Sequence, residues 1–131
     1  MTTELTMLAW TLVLALVQIF LASTLRTMET GLAFNMSARD GVAPPIRPLT
    51  ARMQRAQANL FETLPLFAGA VLIAHAAGIH SGQTVLGCQL YLAARVLYVP
   101  LYAAGVPVLR TLVWGGSVWG MIMLLKAILI G

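Results

Sequence analysis

Charge is what this chain has least of. Charged side chains make up 9% of the 131 residues, and only four are acidic: Glu4, Glu29, Asp40 and Glu62. A soluble domain usually carries about 25% charged residues, so composition excludes an ordinary water-soluble fold. There is one cysteine, Cys88. It cannot form an intrachain disulfide and says nothing about redox compartment. Within an apolar run it reads as a small packing residue. There is no low-complexity segment. Two helical hairpins are visible, but no convincing internal repeat. The N-terminus lacks Lys and Arg, as does the connection from Ala76 to Gln83.

What is abundant is apolar surface: 60% of the residues are hydrophobic. Crossing a bilayer takes roughly 20 apolar residues per helix, and four runs meet that length, at about 5–25, 52–77, 84–104 and 108–130. The pattern predicts an all-α integral membrane protein, a four-helix bundle in one domain, with a longer loop at about 26–51. The first run follows Glu4 and no basic residue, and exceeds a signal peptide's apolar core of about 7–15 residues. It is expected to stay as a helix. Arg26, Arg39, Arg47, Arg52 and Arg55 flank or occupy the first loop, and Arg110 lies at the third connection. By the positive-inside rule these two loops are cytoplasmic and both termini are not. The basic loop is thus a topology signal rather than a nucleic-acid patch. Within it, Asn35–Gly41 and the prolines at 44, 45 and 48 break helix and stiffen turns. Two readings of this loop stand open: contact with anionic lipid, or Arg26 or Arg39 helping to hold an anionic ligand.

The chemistry sits at the start of the second run, in Arg55-Ala56-Gln57-Ala58-Asn59-Leu60-Phe61-Glu62. Arg55, Asn59 and Glu62 stand at i, i+4 and i+7 and share one helix face. A charged side chain at the centre of a membrane helix costs roughly 2.5–3.5 kcal/mol on insertion scales, so it marks a site or a pairing. Pro65 follows and removes one backbone hydrogen bond, which predicts a kink or local opening. In the third run Arg95, Tyr98 and Tyr102 share a face. Arg95 lies deep in its span and needs a partner, for which Glu62 is the natural intramembrane acid. That pair either staples two helices or belongs to a site. In the fourth run Arg110 and Trp114 are one turn apart, and Gly116 and Gly120 have the small-xxx-small spacing of close helix contact. Gln18, in the first run, reads as an interhelical hydrogen-bonding residue. His75 and His80 bracket a turn, but the sequence places no carboxylate or cysteine beside them to complete a metal set, so no metal site is expected.

Taken in order, Arg55-Ala56-Gln57-x-Asn59-x-x-Glu62 with Pro65-Leu66-Phe67, then Arg95-x-x-Tyr98-x-x-x-Tyr102, then Arg110-Thr111, resemble the MAPEG family, the membrane-associated proteins of eicosanoid and glutathione metabolism. The pattern is most similar to the leukotriene-conjugating synthase and the microsomal glutathione transferases, and covers about two thirds of the chain. The resemblance implies a homotrimer with glutathione between adjacent protomers, open toward the cytoplasm. It implies that Arg55, Asn59, Glu62, Tyr98 and Tyr102 bind glutathione, with Arg95 supporting them, and that Arg110 stabilises the thiolate. Gln57 matches a position that is Gln or His in members, and Arg26 corresponds to a basic residue ending the first helix. Trp114 stands where some members carry Tyr, so a hydroxyl contact is not carried over. The implied activity is conjugation of glutathione to lipophilic electrophiles, or reduction of lipid hydroperoxides, in detoxification.

Two other readings compete. One is a non-catalytic lipid- or glutathione-binding scaffold of the same family; the retained Arg, Asn, Glu and Tyr set argues against it. The other is a small four-helix exporter, which would be expected to carry an acid in its first span, where this sequence is read as having none.

Overall fold

The computed structural model describes residues 1–131. In chain order the helices are α1 (Thr3–Thr30), α2 (Leu32–Met36), α3 (Pro48–Ala76), α4 (Gly82–Ala103) and α5 (Pro107–Leu129). All but α2 are long and apolar enough to cross a membrane, as the apolar runs predict.

Local chemistry explains the helix ends, several of which lie outside the expected bounds. α1 begins at Thr3 because the Thr2 hydroxyl accepts the Leu5 N–H at 3.2 Å, satisfying a donor with no intrahelical partner. It continues past Leu25 to Thr30, since nothing breaks it before Gly31, whose φ is 89°. α3 starts at Pro48 rather than near 52 because proline's fixed φ suits the first helical position. The expected loop of 26–51 therefore shortens to 31–47 and contains α2. α4 opens on a reciprocal capping box between Ser81 and Thr84. α3 runs on through Pro65, and α4 through Pro100, without being divided.

The buried stripe of α1 is Glu4, Leu8, Thr11, Ala15, Gln18 and Ala22. Spacings of three and four residues place them along one face, which meets α3 and α4; α1 does not touch α5. The opposite face exposes Leu12, Leu16 and Phe20, as suits lipid. The core is centred on α3 and α4, where Leu60, Phe67, Val71, Cys88 and Tyr91 are fully buried. Phe67 stacks on Tyr91 with ring centroids 4.0 Å apart, and the Tyr91 hydroxyl lies 2.8 Å from Thr63 Oγ1. This pair supplies about 0.5–1.5 kcal/mol beyond simple burial and leaves no orphaned phenol in the apolar interior.

α4 and α5 form the most extensive helix pair. Their backbones come close together at Gly87 and Gly120. A methyl at Gly120 would lie 2.6 Å from the Gly87 carbonyl oxygen and 2.9 Å from the Tyr91 nitrogen. Gly120 thus serves the expected close contact, whereas a methyl at Gly116 would only touch Ala94 at 3.9 Å.

Candidate functional site

The start of α3, the end of α4 and the start of α5 meet at one end of the bundle. Arg95 is 1% exposed there. Its Nη1 donates to Asn59 Oδ1 at 2.9 Å, and its guanidinium carbon lies 4.4 Å from the Tyr98 ring centroid. Tyr98 and Tyr102 meet edge to face at 5.4 Å. Tyr102 lies between two further cations. Arg55 Nε donates to its hydroxyl oxygen at 3.1 Å, and the Arg110 guanidinium stands over its ring at 4.4 Å. Asn59, Tyr98, Tyr102, Arg110, Thr111 and Trp114 line a cleft of about 280 Å³.

None of the cleft's lining residues is acidic. The side chains that meet its arginines are an amide, a phenol and aromatic faces. Cation–π contact contributes about 0.5–2 kcal/mol but does not cancel charge, so the cleft keeps a positive potential that attracts anions.

The expected Arg95–Glu62 ion pair is not formed. The arginine that does pair with a carboxylate is Arg47, with Glu29, and His80 hydrogen-bonds Glu4; Arg95 bonds Asn59 instead. Glu62 lies on the exposed side of α3, while Asn59 is half-buried and meets α4. A shared helix face in sequence spans enough arc for one member to turn inward and another outward.

A family model spans the chain's residues 7–130, and the description it carries is MAPEG family. The chain belongs to the MAPEG family. Its members include glutathione transferases and related membrane proteins. No curated protein matches the sequence. Membership agrees with the four long helices, and it sets the exporter reading aside.

The MAPEG motif residues divide in two. Arg55, Asn59, Arg95, Tyr98, Tyr102 and Arg110 gather at the cleft, with Glu62 exposed on the same stretch of α3. Arg26 and Gln57 stand apart from it. Gln57 is turned about 200° around α3 from Arg55 at 100° per residue. Arg26 lies on α1, which does not reach α5; its Nε is buried without a partner. Thr111 and Trp114 line the cleft although neither was singled out for binding; their place one and four residues past Arg110 is the signal that marks them.

The other end of the bundle corrects a second expectation. Glu4 belongs to α1 and is 4% exposed, so the first spanning helix does carry an acid. Glu4 Oε2 lies 2.6 Å from His80 Nδ1 and accepts from Thr84 Oγ1 at 3.0 Å. The histidines are therefore not without a carboxylate neighbour, and His75, His80 and Glu4 share a cavity of about 210 Å³. No group of three His, Cys, Asp or Glu side chains is placed to hold a metal ion.

Proposed function

We propose that this MAPEG protein is a membrane glutathione transferase or peroxidase, and that glutathione binds in the arginine cleft. The observation that carries this reading is a cleft lined by Arg110, with Arg55 and Arg95 beside it, in which no arginine forms a salt bridge and each contacts a phenol, an amide or an aromatic face, next to a glutamate that forms none either. Glutathione presents two carboxylates, one ammonium and one thiol near neutral pH. Arg55 and Arg110 suit carboxylate and thiolate. Glu62, exposed and in no salt bridge, suits the ammonium. Because Arg55 donates to the Tyr102 oxygen, the phenolic hydrogen remains available to a ligand acceptor. Asn59 gives its carbonyl oxygen to Arg95 and keeps its two amide hydrogens.

The reactive species is the thiolate, and a nearby guanidinium lowers a thiol's pKa from about 8.5. Arg110 has this role in our reading. In conjugation the thiol proton leaves to water and sulfur bonds to an electrophilic carbon. The displaced electron pair goes to the leaving group or to a ring oxygen, which water protonates. In the peroxidase reaction two glutathiones reduce one hydroperoxide to alcohol and water and become the disulfide. The electrophile enters from lipid, past exposed Trp114.

Arg26 and Gln57 fit a site completed by a neighbouring copy, as the family's homotrimer implies: one protomer supplies the cleft, and the next supplies these two side chains. The basic end then faces the cytoplasm, with both termini opposite. The test is glutathione titration of the detergent-purified protein, followed by ultraviolet difference absorbance for thiolate. Binding with a thiolate signal that disappears in Arg110→Ala supports the transferase. Binding without thiolate favours the scaffold, and no binding rejects the site.

A further inference from the structure

Two arginines one turn apart on α3 grip the last turn of α4. Arg55 bonds the Tyr102 hydroxyl from within the site. Arg52 lies outside the cleft lining and donates Nη1 to the Ala103 carbonyl at 3.2 Å. Ala103 is the final residue of α4, so its carbonyl has no helical partner, and it sits at the negative end of the helix dipole. The Arg52 guanidinium also lies against Gly105. A methyl there would stand 3.2 Å from its Cζ and 3.4 Å from Nε and Nη2. Gly105 has φ 74°, a conformation that glycine adopts without steric cost. The turn is completed by Gly105 N–H to the Tyr102 carbonyl at 3.0 Å and Val106 N–H to the Leu101 carbonyl at 3.1 Å. Pro107 then starts α5, and Arg110 follows within its first turn, over the Tyr102 ring.

Water alone would satisfy an end carbonyl at this level. Two arginines at i and i+3 on a helix surface repel each other, and no acid is paired with either one. Hydration therefore does not account for Arg52, whereas its grip on the α4–α5 turn does.

We infer that Arg52 is a positioning residue: by holding the Ala103–Gly105 turn it sets where Arg110 stands over Tyr102, and so how strongly Arg110 ionises the thiol bound there. This rests on the glutathione reading above, deepens it, and is separable from it by experiment.

The bound thiol is titrated against pH by its ultraviolet thiolate absorbance, with saturating glutathione, in wild type, Arg52→Ala, Arg52→Lys and Gly105→Ala. Arg52→Ala is expected to raise the midpoint by about one pH unit, a tenfold change in the ionisation equilibrium. Affinity for glutathione at low pH should stay within about threefold, because Arg52 donates to the Ala103 carbonyl and, unlike Arg55, to no side chain of the site. Lysine keeps the charge but not the planar contact, so its midpoint should fall between the two. Gly105→Ala displaces the guanidinium from the other side and should shift the midpoint in the same direction, which covers the case that Arg52→Ala does not fold. An unchanged midpoint in a folded Arg52→Ala or Gly105→Ala protein overturns the inference. A wild type without thiolate rejects the glutathione reading instead. The geometric claim then rests on spin labels at Val108→Cys and Ala58→Cys, in labelled protomers diluted with unlabelled chain. Their distance distribution should shift or broaden on Arg52→Ala, and an unaltered distribution overturns the inference whatever the ligand.

Discussion

The two ends of the bundle handle charge in opposite ways. At the Glu4 end, one oxygen of a buried carboxylate is held by His80, in the turn before α4, and by Thr84 in the first turn of α4, itself fastened by a capping box, while the other oxygen has no partner. That end ties α1 to α4. At the arginine end, Arg55, Arg95 and Arg110 meet an amide, a phenol and aromatic faces, and the nearest acid on α3, Glu62, pairs with nothing. The arginine end also holds its own contrast. Arg47 donates its backbone N–H and its Nε to Glu29, and Thr50 joins the same carboxylate, which straps residues 31–47 to α1 and α3. Charge closed by a carboxylate joins helices. Charge left facing neutral dipoles and π faces is available to an anion, because a charge-assisted hydrogen bond to a carboxylate is stronger than either.

The comparison breaks most severely if α5 is pushed off α4. Gly120→Val puts branched carbon where a single methyl already meets backbone at 2.6 Å. The expected cost is about 3 kcal/mol or more, read as a large drop in melting temperature with loss of glutathione binding. An unaltered melting curve would mean that the helices do not approach as described. Next in size is Arg110→Ala. Turnover should fall about 100-fold or more, the usual consequence of removing a group that stabilises developing charge, while glutathione affinity changes little. Unchanged turnover would remove Arg110 from the chemistry.

Arg55→Ala and Glu62→Ala sharpen the contrast. Each should weaken glutathione binding by about 30-fold, on the order of 2 kcal/mol. Neither should destabilise the ligand-free protein much, since neither gives up a protein ion pair. Normal affinity in both would reject the site assignment. The smallest effect belongs to the other end. Glu4→Gln should lower stability by about 1–2 kcal/mol and leave glutathione affinity as it was. If it weakened binding as much as Arg55→Ala does, the two ends would not be separate in function.

Much of this was legible in sequence. Apolar run length identifies four spans, and the Arg–Asn–Glu, Arg–Tyr–Tyr and Arg–Thr motifs select residues that converge at the cleft, except Glu62, which is exposed on α3. Bounds fail where polarity and helicity part company: Ser23–Thr30 is polar yet helical, and Pro48 starts a helix that hydropathy places later. The Arg95–Glu62 pairing fails because matching depth and opposite charge say nothing about how far each helix is rotated. Arg26 and Gln57 match the family pattern but lie outside the cleft, because a matched position in sequence does not say which way its helix turns it.

By itself, then, the sequence determined the membrane-spanning class, the number of long helices, the end of the bundle that gathers cations, and the family. These follow from local quantities: hydropathy, residue order and the 3.6-residue period. Only the tertiary structure decided which charges are closed and which stay open. Glu4 finds His80 across 76 positions, Arg95 takes Asn59 across 36, and Arg52 reaches Ala103 across 51. Such contacts depend on helix rotation and on how closely backbones approach, and at Gly87 and Gly120 that approach is set by the absence of a side chain.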